Sequence, residues 1–256
     1  MVRILLGIAS GGAPTRPFLN SLAALRLPAG AHPLERSVVQ GNFIPAQREL
    51  IMRDAIDGSY DYLFFVDDDI VLPPDALERL AQTAETEPNV AVAGGLYYSR
   101  DSARPITVAN WNSADTSSAH IPAFSSQSAV AVDGVGFGCA LLRVAVARTL
   151  EAPYFPAHIF IERAARRVWQ CDEDYRYCER VRMAGYRVML DGRVRCEHYD
   201  RQSDTTAPQR WEDDDATNAE RMIVALDGAT QLVPLDTSVP RVREVHQAAD
   251  VVYITV

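Results

Sequence analysis

Hydrophobic and polar positions in the first hundred residues switch between two periods. Short apolar runs, "VRILLGIAS", "LERSVVQ", "YDYLFFVD" and "NVAVAGGLYY", read as strands. Between them lie segments with helical spacing: "RPFLNSLAALRL" after a capping Thr15, "IPAQRELIMRDAIDG" with Pro45 near its start and Gly58 at its end, and "PPDALERLAQTAE" opened by prolines. Repeated strand–helix units imply a mostly parallel sheet with helices on its faces, and such sheets bind ligands at the carboxyl ends of their strands.

From about 101 to 160 the texture changes to Ser, Thr, Ala and Pro, with short strands expected at "PITVANW", "SAVAVDG" and "VGFGCALLRVAV". Irregular segments on a rigid scaffold are where substrate contacts concentrate. A helix is predicted at about 172–185, "DEDYRYCERVRMAGY", with carboxylates in its first turn and Gly185 at its end. "RVMLDGRVRCEH" reads as two short strands about an Asp-Gly turn. The basic cluster "IERAARRVW" at 161–169 reads first as a solvated helical face and second as a lining for an anionic acceptor's path. The polar stretch 200–220, then "RMIVALDGATQLVPL" and "DVVYITV", predict a linker followed by a β-rich appendix.

Composition narrows the function classes. The 256 residues are 48% hydrophobic and 23% charged, enough to bury a core without disulfide staples. No apolar window is long enough for a membrane span and no basic-then-apolar leader opens the chain, so a soluble cytoplasmic protein is expected. The four cysteines, Cys139, Cys171, Cys178 and Cys196, form no CxxC pair and suit reduced thiols. A net charge of −9 gives no global attraction to nucleic acid, so a nucleic-acid acceptor has no support from charge.

Three groups of residues carry candidate chemistry. The run "YLFFVDDDIV" ends a strand in Asp67, Asp68 and Asp69. Carboxylates at a strand terminus can hold Mg²⁺ or Mn²⁺, though a solvated acidic turn explains the triplet equally well. If the strand pleat continues, Asp67 and Asp69 share one side and Asp68 faces the other. Glu173 and Asp174 open a helix, where the dipole favours an ionised carboxylate fit for a general base; a plain cap is the simpler reading of the pair alone. Arg48 in "GNFIPAQREL" presents a planar fork suited to oxyanions, or a surface ion pair.

The order of these pieces resembles a GT-A fold glycosyltransferase, most similar to the family 2-like bacterial and phage enzymes. "ASGG", "AQREL", "FFVDDDI", "AGGLYYSR", "GFGCALLR" and "DEDYRYCERVRMAGYRVMLDGRVRCEH" follow one another as that family's motifs do, across about residues 2–199. The resemblance implies a Rossmann-like, mixed and mostly parallel sheet. It implies a nucleotide-sugar-binding half at 1–100 and an acceptor and catalytic half at 101–200; residues 201–256 have no counterpart in that resemblance and are expected to be a linker and β-rich extension, a candidate surface for self-association or a cover for the acceptor site. It also implies Mn²⁺ or Mg²⁺ as cofactor, a UDP- or GDP-linked sugar as donor and a hydroxyl acceptor. Asp67 and Asp69 match the Asp-x-Asp pair, Asp69 as the direct metal ligand and Asp67 nearer the nucleotide ribose, and His198 matches the late metal ligand. Asp174 matches the base, with Glu173 beside it. Arg48, Ser10, Gly95, Gly136 and Gly138 match donor-site positions. Where such enzymes often carry Asn after the arginine, this chain has Glu49. Inverting transfer follows from the same resemblance. The rival readings are a sugar-nucleotide nucleotidyltransferase, suggested by "ASGGAPTRP" but lacking its denser glycines and lysine, and a non-catalytic binder of the same fold.

Overall fold

A computed structural model describes residues 1–100, 107–108, 127–156, 158–162, 167–171, 173–207, 247–248 and 251–255. In chain order its elements are β1 (Ile4–Ser10), α1 (Arg16–Ala23), β2 (Glu35–Gln40), α2 (Ile44–Asp57), β3 (Tyr62–Val66), β4 (Ile70–Val71), α3 (Ala76–Thr86), β5 (Val90–Leu96), β6 (Thr107–Val108), β7 (Ala129–Val132), β8 (Gly134–Val135), β9 (Cys139–Arg143), α4 (Val144–Ala147), β10 (His158–Glu162), β11 (Arg167–Cys171), α5 (Glu173–Met183), β12 (Arg187–Arg195), β13 (Glu197–Asp200), β14 (Thr205–Ala207), β15 (Gln247–Ala248) and β16 (Val251–Thr255).

The central sheet has the order β2-β1-β3-β9-β5-β12-β7. Strands β2, β1, β3, β5 and β12 run one way, and β9 and β7 run against them. The continuous apolar run of β3 follows from burial on both faces. Leu63 and Phe65 join a core with Ile51, Met52, Phe137, Phe155 and Tyr177, while Tyr62, Phe64 and Val66 join the opposite core with Phe18, Leu77 and Leu80.

This topology collects one edge of the molecule. Helices α2 and α5 each lead into a strand of the majority direction, so their N-termini lie at the carboxyl edge of the sheet. Because β9 is antiparallel to β3, with Cys139 opposite Val66, the turn that enters β9 arrives at the same edge. Strand β13 leaves β12 there and pairs with β4, setting His198 opposite Ile70 and next to the aspartate triplet.

Two local expectations are corrected. Asp191-Gly192 does not turn the chain: β12 runs through it with a register shift against β5. The buried Asp191 carboxylate accepts from Thr83 Oγ1 at 2.7 Å and from Arg193, and Gly192 N–H donates to the Ser128 carbonyl, so the dipeptide is a bulge held from outside. The described residues of the cluster at 161–169 are not helical either. They belong to β10 and β11, which pair antiparallel, and β16 pairs with the other edge of β10. Backbone partners from 251–255 override the local period. The stretch 208–246, expected as linker and β-rich tail, lies outside the described residues, as does most of the irregular segment between 101 and 126.

Among the described residues no helix is long and apolar enough to cross a membrane. Cys139, Cys178 and Cys196 are buried free thiols.

Candidate active site

The triplet is a turn, not a continuing strand. Ile70 N–H donates to the Asp67 carbonyl at 3.1 Å, so the side chains are sorted by the turn and leave in three directions. Strand alternation is therefore not what separates Asp68 from its neighbours.

Asp67 faces Arg48. The Arg48 side chain lies in the protein interior, only 5% exposed, and its guanidinium gathers three carboxylates: Glu173 Oε1 at 2.5 Å, Asp67 Oδ1 at 3.0 Å and Asp174 Oδ2 at 3.6 Å. Its face lies over Phe137 and Phe65, 5.6 and 5.8 Å from the ring centroids. Burial alone would disfavour the cation, yet Asp67, Glu173 and Asp174 outweigh it and raise the Arg48 pKa. Arg48 thus acts inward, as the counter-charge that fixes the carboxylates.

Asp174 sits in the first turn of α5, where the helix dipole favours negative charge. Its Oδ2 accepts from Phe137 N–H at 3.2 Å and its Oδ1 from Tyr175 N–H at 2.8 Å. Of the pair, Glu173 makes the shorter contact to Arg48 and Asp174 the longer one. Both line a cavity of about 360 Å³ with Arg48, Asn42, Phe43, Ile44 and Pro45.

Asp69 points the other way. Its Oδ2 is held by Arg100 and lies 3.5 Å from His198 Nε2. His198 Nδ1 is 2.9 Å from the Tyr98 carbonyl, which can only accept, so Nδ1 carries a hydrogen and Nε2 is the ring nitrogen turned toward Asp69. Burial would raise the Asp69 pKa, but hydrogen bonds and charge from His198 and Arg100 bring it below its ordinary value.

These residues fit a hard divalent cation. A carboxylate oxygen and an oriented imidazole nitrogen stand 3.5 Å apart, a spacing at which both can face one ion with bonds of about 2.1 Å. Among the described residues no three His, Cys, Asp or Glu side chains converge on such a point. Asp67 does not join Asp69 and His198, and the remaining positions would fall to water and substrate oxygens.

Several matched positions have other tasks. Ser10 is fully buried, with its hydroxyl 2.5 Å from Asp68 Oδ2 and 2.6 Å from the Gly12 carbonyl, so it is occupied within the protein and has no surface to offer a donor. Gly95 is a packing glycine: a Cβ there would stand 2.9 Å from Val194 Cγ1 and 3.1 Å from Cys139 Sγ. Gly138 receives Asp67 N–H on its carbonyl and gives its own N–H to the Tyr97 hydroxyl at 3.0 Å; a Cβ would meet the Tyr97 ring at 2.9 Å. Gly136 is buried in the turn just before Phe137. Glu49 looks away from the site and accepts from Tyr154 and Phe155 N–H at 2.6 and 3.2 Å.

Sequence reasoning missed three contributors. Asp68, besides Ser10, accepts from Arg201 at 3.0 Å, and its carbonyl receives Thr15 N–H and Oγ1, so it ties together the ends of β1, β3 and β13. Tyr97 is buried and links Gly138 to an edge-on contact with His198, 5.9 Å between centroids. Arg100 follows "GGLYYS" as an ordinary surface arginine in sequence and gives no local signal.

An acidic turn after the third strand of a sheet with this order, an antiparallel strand beside it and a carboxylate-headed helix over the same edge define the GT-A fold. The chain belongs to the family described as glycosyltransferase like family 2, which matches residues 38–211. Among solved structures it is similar to A197 from STIV, with a TM-score of 0.56 and 18% identity, covering 82% of this chain and 96% of that one. It is also similar to GalNAc-T7, solved with UDP, GalNAc and Mn²⁺, with a TM-score of 0.52 and 8% identity over 77% of this chain and 43% of that chain. At these identities the likeness is one of fold. The comparison with curated protein sequences gives no match.

Proposed function

We propose that the protein moves a sugar from a UDP- or GDP-linked donor to an acceptor hydroxyl with inversion at the anomeric carbon. The observation that carries this reading is the convergence, through Arg48, of Asp67 at the end of β3 with Glu173 and Asp174 at the head of α5. In this reading residues 1–100 bind the donor, 101–200 supply the base and the acceptor contacts, and 201–256 form an added extension.

Asp174 accepts the acceptor's hydroxyl proton as that oxygen bonds to the anomeric carbon. The bond from that carbon to the diphosphate breaks on the opposite side, and the electron pair leaves with the nucleoside diphosphate. Arg48 and the Phe137 N–H hold Asp174 in place, so no reorganisation is needed at the moment of transfer. Asp69 and His198 would hold Mn²⁺ or Mg²⁺, which when bound supplies positive charge against the leaving diphosphate. GalNAc-T7, of the same fold, was solved with Mn²⁺ and UDP, which supports this choice.

A thermal-shift screen of UDP, GDP and their sugars with Mn²⁺ tests the proposal. A ligand bound only by the folded state raises its stability by about 2.7 kcal/mol at a hundred times its Kd. One nucleotide series should raise the Tm in a way that EDTA abolishes. No shift with any nucleoside diphosphate would refute the reading.

A further inference from the structure

The candidate cation site already contains a cation of the protein's own. Arg100 holds the same Asp69 oxygen, Oδ2, that His198 Nε2 faces. Asp69 is 6% exposed at its side chain, whereas the Arg100 side chain is 59% exposed, so the carboxylate is fixed and its partner is an arm reaching in from solvent. A buried carboxylate needs a counter-charge, and an exposed arginine can leave one at little conformational cost. Arg100 stands at the outer side of the site, within the influence of Asp67 and Asp200 as well as Asp69.

Building on the function proposed above, we infer that Arg100 is a resident counter-ion of Asp69, displaced when a divalent cation binds and passed to the donor's diphosphate. A cation facing His198 Nε2 at Asp69 Oδ2 meets Arg100 on that same oxygen, and the repulsion between the two charges drives Arg100 away as the metal binds. A guanidinium released within reach of a diphosphate finds oxygens that match its fork. Metal binding alone therefore forfeits the Arg100 contact, and metal binding with diphosphate recovers it. The result is a linkage in which each ligand favours the other, and Arg100 is a positioning residue for both.

The test is Mn²⁺ affinity of the full chain, measured by electron paramagnetic resonance, for wild type, Arg100→Gln and Arg100→Lys, each alone and with saturating UDP or GDP. Without nucleotide, Arg100→Gln should bind Mn²⁺ about tenfold tighter, the worth of one charge-assisted hydrogen bond removed from the competing side. The factor by which nucleotide tightens Mn²⁺ binding should fall by a similar amount. Arg100→Lys, which keeps the charge, should stay within about threefold of wild type. Unchanged or weaker Mn²⁺ binding in Arg100→Gln, with nucleotide still enhancing it as in wild type, overturns the inference alone. Absence of Mn²⁺ binding in every variant, with and without either nucleotide, overturns the inference together with the metal site on which it rests.

Discussion

Of the three arginines that hold carboxylates of one acidic turn, Arg48 and Arg100 do so under opposite conditions. Arg48 is interior, braced by Phe65 and Phe137, and shared among Asp67, Glu173 and Asp174. Arg100 is an exposed arm on the single carboxylate of Asp69. The first arrangement cannot be undone without stranding charge in a dry place. The second can exchange its partner with solvent or ligand. A transferase of the proposed kind needs both: a base whose position never changes, and an ion site that must be able to open.

The largest expected effect separates chemistry from architecture on the Arg48 side. Asp174→Asn keeps an oxygen to accept Phe137 N–H but cannot take a proton, so kcat should fall roughly a thousandfold with the thermal unfolding midpoint nearly unchanged. Near-normal turnover in a folded variant would remove Asp174 as base. Next, Arg48→Met leaves three carboxylates without their counter-charge and should cost about 3–5 kcal/mol in urea unfolding, whereas Arg100→Met should cost less than about 1 kcal/mol. Equal losses would erase the distinction between the two arginines. The smallest effect concerns the carboxylate between them. Asp68→Asn weakens the contacts to Ser10 and Arg201, at about 1–2 kcal/mol of stability, and should leave Mn²⁺ affinity within about twofold of wild type. A large loss of Mn²⁺ binding would place Asp68, not Asp69, at the ion.

The elements whose identity was legible are those that bury apolar stripes. Strand β3 and helices α1 and α2 declare themselves through apolar runs, Thr15, Pro45 and Gly58, because the causes are local. The placement of the triplet at a carboxyl edge was legible for the same reason, since it follows from strand–helix alternation. What escaped has causes far along the chain. Asp191-Gly192 looks like a turn until Thr83 takes its carboxylate from 108 residues away. Ser10 looks like a donor-loop hydroxyl until Asp68 occupies it across 58 residues. Arg100 could not be singled out, because what distinguishes it is one contact to Asp69 and nothing in its neighbourhood. The direction of each aspartate belonged to a turn closed by Ile70, which a pleat rule cannot describe.

The Asp68 clamp also fixes where the chain can be cut. Its partner Arg201 lies just past the boundary that motif order suggests, and β14 then pairs back onto β13 through His198↔Ala207, Tyr199↔Thr206 and Asp200↔Thr205. A fragment ending at Asp200 would lose Arg201 from the floor of the acidic turn and leave the strand that carries His198 with one bare edge. Any shortened form of the chain should therefore run at least through Ala207, keeping that hairpin even where the recognisable motifs have already ended.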